Sequence, residues 1–237
     1  MNILITGASR GIGFQTAIAF CRKKTDKLIL ISRNSKKLDL LKEECLKVNS
    51  QVSILTLPIN LENILSADSQ ILTQIQDFTD TLDILINNAG FLESKQFQLF
   101  SPESAQKIFN VNFFAPAQLI KNLFPLLKNS KHAHVVNISS MGGFQGSAKF
   151  PGLSYYSASK AALANLTECL AEEFKETSVK FNCLALGAVQ TEMLLEAFPD
   201  YIAPVGPEAM AQYISDFALN GHNFFNGKII PVALSTP

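Results

Sequence analysis

Tyr156 and Lys160 stand four residues apart in the run Tyr156-Ser157-Ala158-Ser159-Lys160, a spacing that on a helix sets a phenol beside an ammonium. Such a pair can pass a proton. An isolated tyrosine keeps its proton to about pH 10, and a neighbouring positive charge favours the phenolate. Lowering that threshold by two units corresponds to roughly 2.7 kcal/mol of differential stabilisation, which a close ammonium joined by a bound cationic group would supply. The expectation is that Lys160 tunes Tyr156 toward acid-base work near neutral pH. Tyr155 does not satisfy the spacing, because the residue four beyond it is Ser159. The same spacing also occurs on ordinary solvated helices, so the pair takes its meaning from its company.

That company begins with Thr6-Gly7-Ala8-Ser9-Arg10-Gly11-Ile12-Gly13, which follows directly on the apolar run 3–6 and precedes a helix expected to begin near Ile12. Glycines permit a tight turn and let the backbone approach a pyrophosphate, while a helix amino terminus offers unpaired N–H groups and a positive dipole. A dinucleotide fits this arrangement. About twenty residues further on, dinucleotide-binding sheets that take NAD carry Asp or Glu for the adenosine ribose, and here the position holds Ser32 followed by Arg33. Without a carboxylate a 2′-phosphate is not repelled, and Arg33 and Arg10 offer it charge-assisted bonds. NADP(H) is therefore favoured over NAD(H).

Short apolar runs at 3–6, 28–31, 52–57, 82–86, 134–138, 179–184 and 228–232 alternate with longer amphipathic stretches, which reads as strands alternating with helices. Runs apolar on both faces predict an α/β fold, a Rossmann-type doubly wound parallel sheet of about seven strands flanked by helices on both faces. The glycine-rich stretch 141–154 reads as a loop after a strand. With 237 residues, 47% of them hydrophobic and 17% charged, the chain is expected to form a single domain over 1–237. Twenty basic residues balance twenty acidic ones, so no overall field favours nucleic acid or an anionic membrane. The apolar strand is entered by Asn2, which leaves no space for a leader segment and makes a cytoplasmic location the expectation. Cys21, Cys45, Cys169 and Cys183 match neither a metal pattern nor a disulfide framework and read as reduced packing residues.

Taken together, Thr-Gly-x-x-x-Gly-x-Gly near the amino terminus, Asn87-Asn88-Ala89-Gly90 after the fourth strand, and Tyr-x-x-x-Lys resemble the short-chain dehydrogenase/reductase family, in the expected order and over nearly the whole chain. The resemblance implies hydride transfer between a nicotinamide and a carbonyl or alcohol. It also implies a catalytic set of Asn112, Ser140, Tyr156 and Lys160. Ser140 would hold the substrate oxygen, Tyr156 would protonate it, Lys160 would lower the tyrosine pKa and bind cofactor ribose, and Asn112 would position a water-linked relay. Ser140 is preferred to Ser139 because Met141-Gly142-Gly143 continues the family's serine motif. Cofactor contacts implied in addition to Gly7, Ser9, Arg10, Gly11, Ile12 and Gly13 are Asn60 and Leu61 near adenine, Asn88, Ala89 and Gly90 along the cofactor, and Gly187, Val189 and Thr191 near nicotinamide. Two positions depart from the family pattern: Asn60 replaces a common Asp, and Leu186-Gly187 replaces Pro-Gly, which would loosen the turn.

By the same resemblance, 192–207 forms a short substrate lid. Phe91, Phe144, Phe150 and Phe198 would border the cleft and favour an apolar carbonyl or alcohol. His132 and His134 have no third ligand nearby, so no metal is expected and both read as structural. Two other readings stand beside the reductase. A ketoacyl-carrier or acyl-thioester reductase would need a basic docking patch, for which the balanced charge gives no sign. A cofactor-sensing binding protein would show affinity without turnover. The apolar positions Ala161, Ala162, Leu163, Leu166, Leu170 and Phe174 on the tyrosine-bearing helix, with the resemblance, point to a homodimer or homotetramer.

Overall fold

The computed structural model describes residues 1–23, 25–66 and 68–234. Seven strands, β1 (Asn2–Thr6), β2 (Lys27–Ser32), β3 (Ser53–Pro58), β4 (Ile84–Asn87), β5 (His134–Ser140), β6 (Lys180–Leu186) and β7 (Lys228–Val232), form one sheet in the order β3-β2-β1-β4-β5-β6-β7. Every neighbouring pair is parallel. The helices are α1 (Gly11–Cys21), α2 (Ser35–Val48), α3 (Asp68–Phe78), α4 (Pro102–Phe109), α5 (Ala115–Lys128), α6 (Ser154–Glu173), α7 (Glu192–Ala197) and α8 (Pro207–Asn220).

The two-residue period of the strands divides the apolar residues between two cores. Ile3, Ile5, Leu28, Leu30, Val136 and Leu184 face α1, α2 and α8, whereas Leu4, Ile29, Leu85, Val135 and Phe181 face α5 on the opposite side. Burial on both faces is why these strands read as continuous apolar runs. Strand order reverses between β1 and β4, and the crevice beyond their carboxyl ends is where such sheets bind ligands.

Three strands begin later than their apolar runs, β6 by the single residue Val179. Leu82 is fully buried, but its N–H bonds to the Leu126 carbonyl at 3.0 Å, so it plugs the core beneath β4 rather than joining the ladder. Val52 likewise closes a turn onto Asn49 before β3 starts. On α6, Leu163 is buried and Leu170 packs on the sheet-facing core, as does Phe174 just past the helix end, with Phe174 meeting Phe124 at a centroid separation of 4.2 Å. These three residues face inward rather than forming a free apolar surface. Cys21, Cys45 and Cys183 are buried, but Cys169 is exposed, its thiol donating to Asn165 Oδ1 one turn back. Among the described residues no helix is long and apolar enough to cross a membrane.

Candidate active site

The loops after β1 and β4 are stapled by one hydroxyl. Thr6 Oγ1 accepts from the N–H groups of Asn88 and Ala89, each at 3.0 Å, and Asn88 Nδ2 donates to the Thr6 carbonyl at 3.0 Å. Helix α1 packs hard against this turn: a Cβ on Gly13 would lie 2.3 Å from the Gly7 carbonyl oxygen, closer than any side chain tolerates. Gly13 therefore serves the packing of the helix on the turn and is not among the residues that line the cleft. Gly7, Ser9, Arg10, Gly11 and Ile12 do line it. The first turn of α1 receives no side-chain cap, so its N–H groups remain free for an anion. At the end of β2 the Ser32 hydroxyl donates to Ser9 Oγ at 2.6 Å, and Arg33 borders the same space. This uncapped cradle, with a hydroxyl instead of a carboxylate at the end of β2, fits a dinucleotide.

The cleft encloses about 490 Å³ and runs on past Asn60, Leu61, Asn88, Ala89 and Gly90 to Gly187, Val189 and Thr191. The departure at Leu186-Gly187 does not loosen the chain, because the Gly187 N–H bonds to the Val232 carbonyl at 2.9 Å. Asn60 turns its Oδ1 onto the Glu62 N–H at 3.2 Å, a capping bond that a neutral amide makes as an aspartate would.

Ser140, Tyr156 and Lys160 line the middle of the cleft. The glycine-rich loop lets β5 approach α6 closely: a Cβ on Gly143 would fall 2.7 Å from the Lys160 backbone. The Ser139 hydroxyl is engaged by the Lys160 carbonyl at 2.8 Å, whereas Ser140 Oγ accepts from the Gly142 N–H at 3.1 Å and neighbours Tyr156. Tyr155 turns away and packs on Phe97 and Phe100.

Lys160 is 3% exposed and gives one of its three donors to the Ile138 carbonyl at 2.8 Å. Burial pushes its ammonium down to about 8, with the Cys183 thiol opposing. Its Nζ lies 6.0 Å from the Tyr156 ring centroid. Burial raises the Tyr156 phenol above its ordinary value, and the Ser140 hydroxyl pulls only partly the other way. In the protein by itself, burial is the leading influence on the Tyr156 phenol. Desolvation outweighs an ammonium that is bonded to β5 and itself costly to keep charged.

Asn112 does not line the cleft. It sits on a π-helical turn, Asn110–Phe114, between α4 and α5, and is wholly buried. Its Oδ1 accepts from the Phe91 N–H at 2.7 Å, and its Nδ2 donates to the Phe91 carbonyl at 2.9 Å and to Ser159 Oγ at 3.0 Å. The amide ties the segment after Gly90 to α6.

The segment 192–207 carries α7, capped by Thr191, whose hydroxyl accepts from the Leu194 N–H. Val189 pairs with Val205 to return the chain. Phe91, Phe150 and Phe198 line the cleft but Phe144 does not, and Phe150 and Phe198 meet edge to face at 6.3 Å. Sequence reasoning passed over Met193, Leu194 and Tyr201 in the segment 192–207 and Lys107 on α4, all of which border the cleft. Lys107 lies 4.8 Å over the Phe91 ring and 3.5 Å from a Glu62 carboxylate oxygen, a contact between segments that no local pattern announces. Among the described residues no group of three His, Cys, Asp or Glu side chains is placed to hold a metal.

The family model for short chain dehydrogenases matches residues 1–201. Ketoacyl reductase HetN of Nostoc sp. is 33% identical over 197 residues, 82% of this chain and 66% of that protein. The 3-oxoacyl-[acyl-carrier-protein] reductase FabG of Chlamydia trachomatis is 25% identical over 243 residues, covering 97% of this chain and 94% of its own. A short chain dehydrogenase from Salmonella enterica superposes with a TM-score of 0.84 at 28% identity, over 97% of this chain and 94% of that one. Matched over most of its length in sequence and nearly all of it in fold, the chain belongs to the short-chain dehydrogenase/reductase family, oxidoreductases that act on carbonyl and alcohol groups.

Proposed function

We propose that this protein interconverts an apolar carbonyl compound and its alcohol with NADP(H), using Tyr156 as general acid and base. The observation that carries this reading is the meeting of the Ser140 and Tyr156 side chains in a cleft that also receives Lys160 and the uncapped end of α1. A bound nicotinamide dinucleotide supplies or accepts the hydride. Ser140 holds the substrate oxygen, and Tyr156 gives it a proton. Because burial keeps the phenol protonated at neutral pH, Tyr156 is ready to act as an acid, the role that carbonyl reduction needs. Lys160 retains donors for a ribose hydroxyl. When charged, it opposes the burial that raises Tyr156. Asn112 holds Phe91 and Ser159 in position beneath the reacting groups.

The Ser9 and Ser32 hydroxyls with Arg10 and Arg33 favour a 2′-phosphate. Phe91, Phe150 and Phe198 favour an apolar substrate body. A ketoacyl thioester is the narrower reading, supported by the activities named for HetN and FabG. A homodimer or homotetramer belongs to the same proposal, and light scattering tests it. The deciding assay follows cofactor oxidation with NADPH and NADH against ketones, aldehydes and ketoacyl thioesters. Turnover with NADPH on an apolar member of the panel is expected, whereas cofactor binding without turnover on any member would contradict the proposal.

A further inference from the structure

Arg10 ends the phosphate loop, and its Nη1 donates to Glu196 Oε1 at 2.9 Å. Glu196 lies on α7, the lid helix. One turn earlier on the same helix face, the Glu192 carboxylate closes on the same loop: a Cβ on Gly11 would lie 3.6 Å from its Oε2. Two lid carboxylates thus lie over the loop whose N–H groups and guanidinium are shaped for phosphate. They bring the same sign of charge and the same acceptor chemistry as a nucleotide phosphate. Beside them, Arg10, Lys37, Glu192 and Leu195 wall a second, smaller hollow. The Arg10 and Glu196 side chains are 37% and 67% exposed, so their pairing is weak enough to be exchanged.

We propose that Glu196 is an internal competitor for Arg10, so that a 2′-phosphate takes the guanidinium from the carboxylate and releases the lid helix, while a 2′-hydroxyl leaves the latch closed. This rests on the NADP(H) reading and adds to it a residue that sets cofactor selectivity. It also links cofactor arrival to substrate access, because Met193, Leu194 and Phe198 of the released segment line the substrate side of the cleft.

The test is equilibrium binding of NADP+ and of NAD+ to the intact protein and to Glu196→Gln. The variant should tighten NADP+ by about threefold to fivefold, the size of one exposed ion pair, and leave NAD+ within about twofold. A second readout follows the lid itself. The chain has no tryptophan, so Leu195→Trp introduces a single indole on α7, and its emission should shift with NADP+ and not with NAD+. In the double variant carrying Glu196→Gln, the shifted emission should be present before any cofactor is added. Equal changes for both dinucleotides, or none, overturn the competitor while leaving the NADP(H) reading intact. Tighter binding of NAD+ than NADP+ by both proteins overturns the NADP(H) reading, and the latch with it.

Discussion

His134 and Ser140 stand at opposite ends of the same strand, β5, and the protein finishes one and leaves the other open. His134 is fully buried, its Nδ1 donating to the Ala218 carbonyl at 2.9 Å and its Nε2 accepting from Asn182 Nδ2 at 3.0 Å. Both ring nitrogens are used, and burial pushes the pKa down to about 4. At the carboxyl end, burial likewise favours the neutral forms of Tyr156 and Lys160, but here the polar groups border a cleft and Lys160 keeps donors in reserve. Desolvation therefore does not distinguish a structural site from a reactive one. Unspent bonding capacity with access from outside does.

Removing one group from each end should separate chemistry from stability. Ser140→Ala is expected to lower kcat by about 10²–10³, the cost of one donor to a developing oxyanion, with cofactor affinity and unfolding midpoint unchanged. His134→Gln should do the reverse. A loss of kcat in the histidine variant, or of stability alone in the serine variant, would break the contrast.

The next largest effect concerns pH. Since the folded pKa of His134 lies below its unfolded value, the unfolded chain takes up a proton that the folded one refuses, and stability falls as pH drops from about 6.5 toward about 4. The shift from 6.5 to about 4 corresponds to at most about 3 kcal/mol. Urea unfolding should show this loss in the parent protein and a flatter profile in His134→Gln. At the other end of the strand, a phenol raised by burial must shed its proton before it can act as a base. Alcohol oxidation should therefore peak at higher pH than carbonyl reduction, and coincident optima would count against Tyr156 as the titrating group.

The smallest effect sharpens the boundary of the cleft. Phe198→Ala should raise KM for an apolar substrate by about tenfold, the worth of part of a hydrophobic side chain. Phe144→Ala, outside the cleft, should leave KM unchanged, and steady-state kinetics on both variants distinguishes them.

The sheet was readable because its central strands are buried on both faces, so apolar runs and strands nearly coincide; they part at Leu82, where an apolar residue packs without pairing. The cradle was readable because glycine spacing encodes turn geometry, but spacing does not announce which glycine meets another backbone, as Gly13 meets Gly7. Asn112 illustrates a further limit, since its partner Phe91 is twenty-one residues away and the π turn that carries it has no local signature. The Tyr156-Lys160 spacing announces proximity, with Lys160 Nζ 6.0 Å from the Tyr156 ring, but spacing carries no information about the burial that raises the phenol. The Arg10-Glu196 pair, 186 residues apart in sequence, was beyond any local reading.

The most direct test of the central claim is Tyr156→Phe, read as single-turnover hydride transfer alongside cofactor affinity. The expected result is a rate loss of about 10²–10⁴, the usual contribution of a positioned acid, with NADPH bound as tightly as before. Hydride transfer at an undiminished rate, with saturating cofactor and a true substrate, would contradict the account.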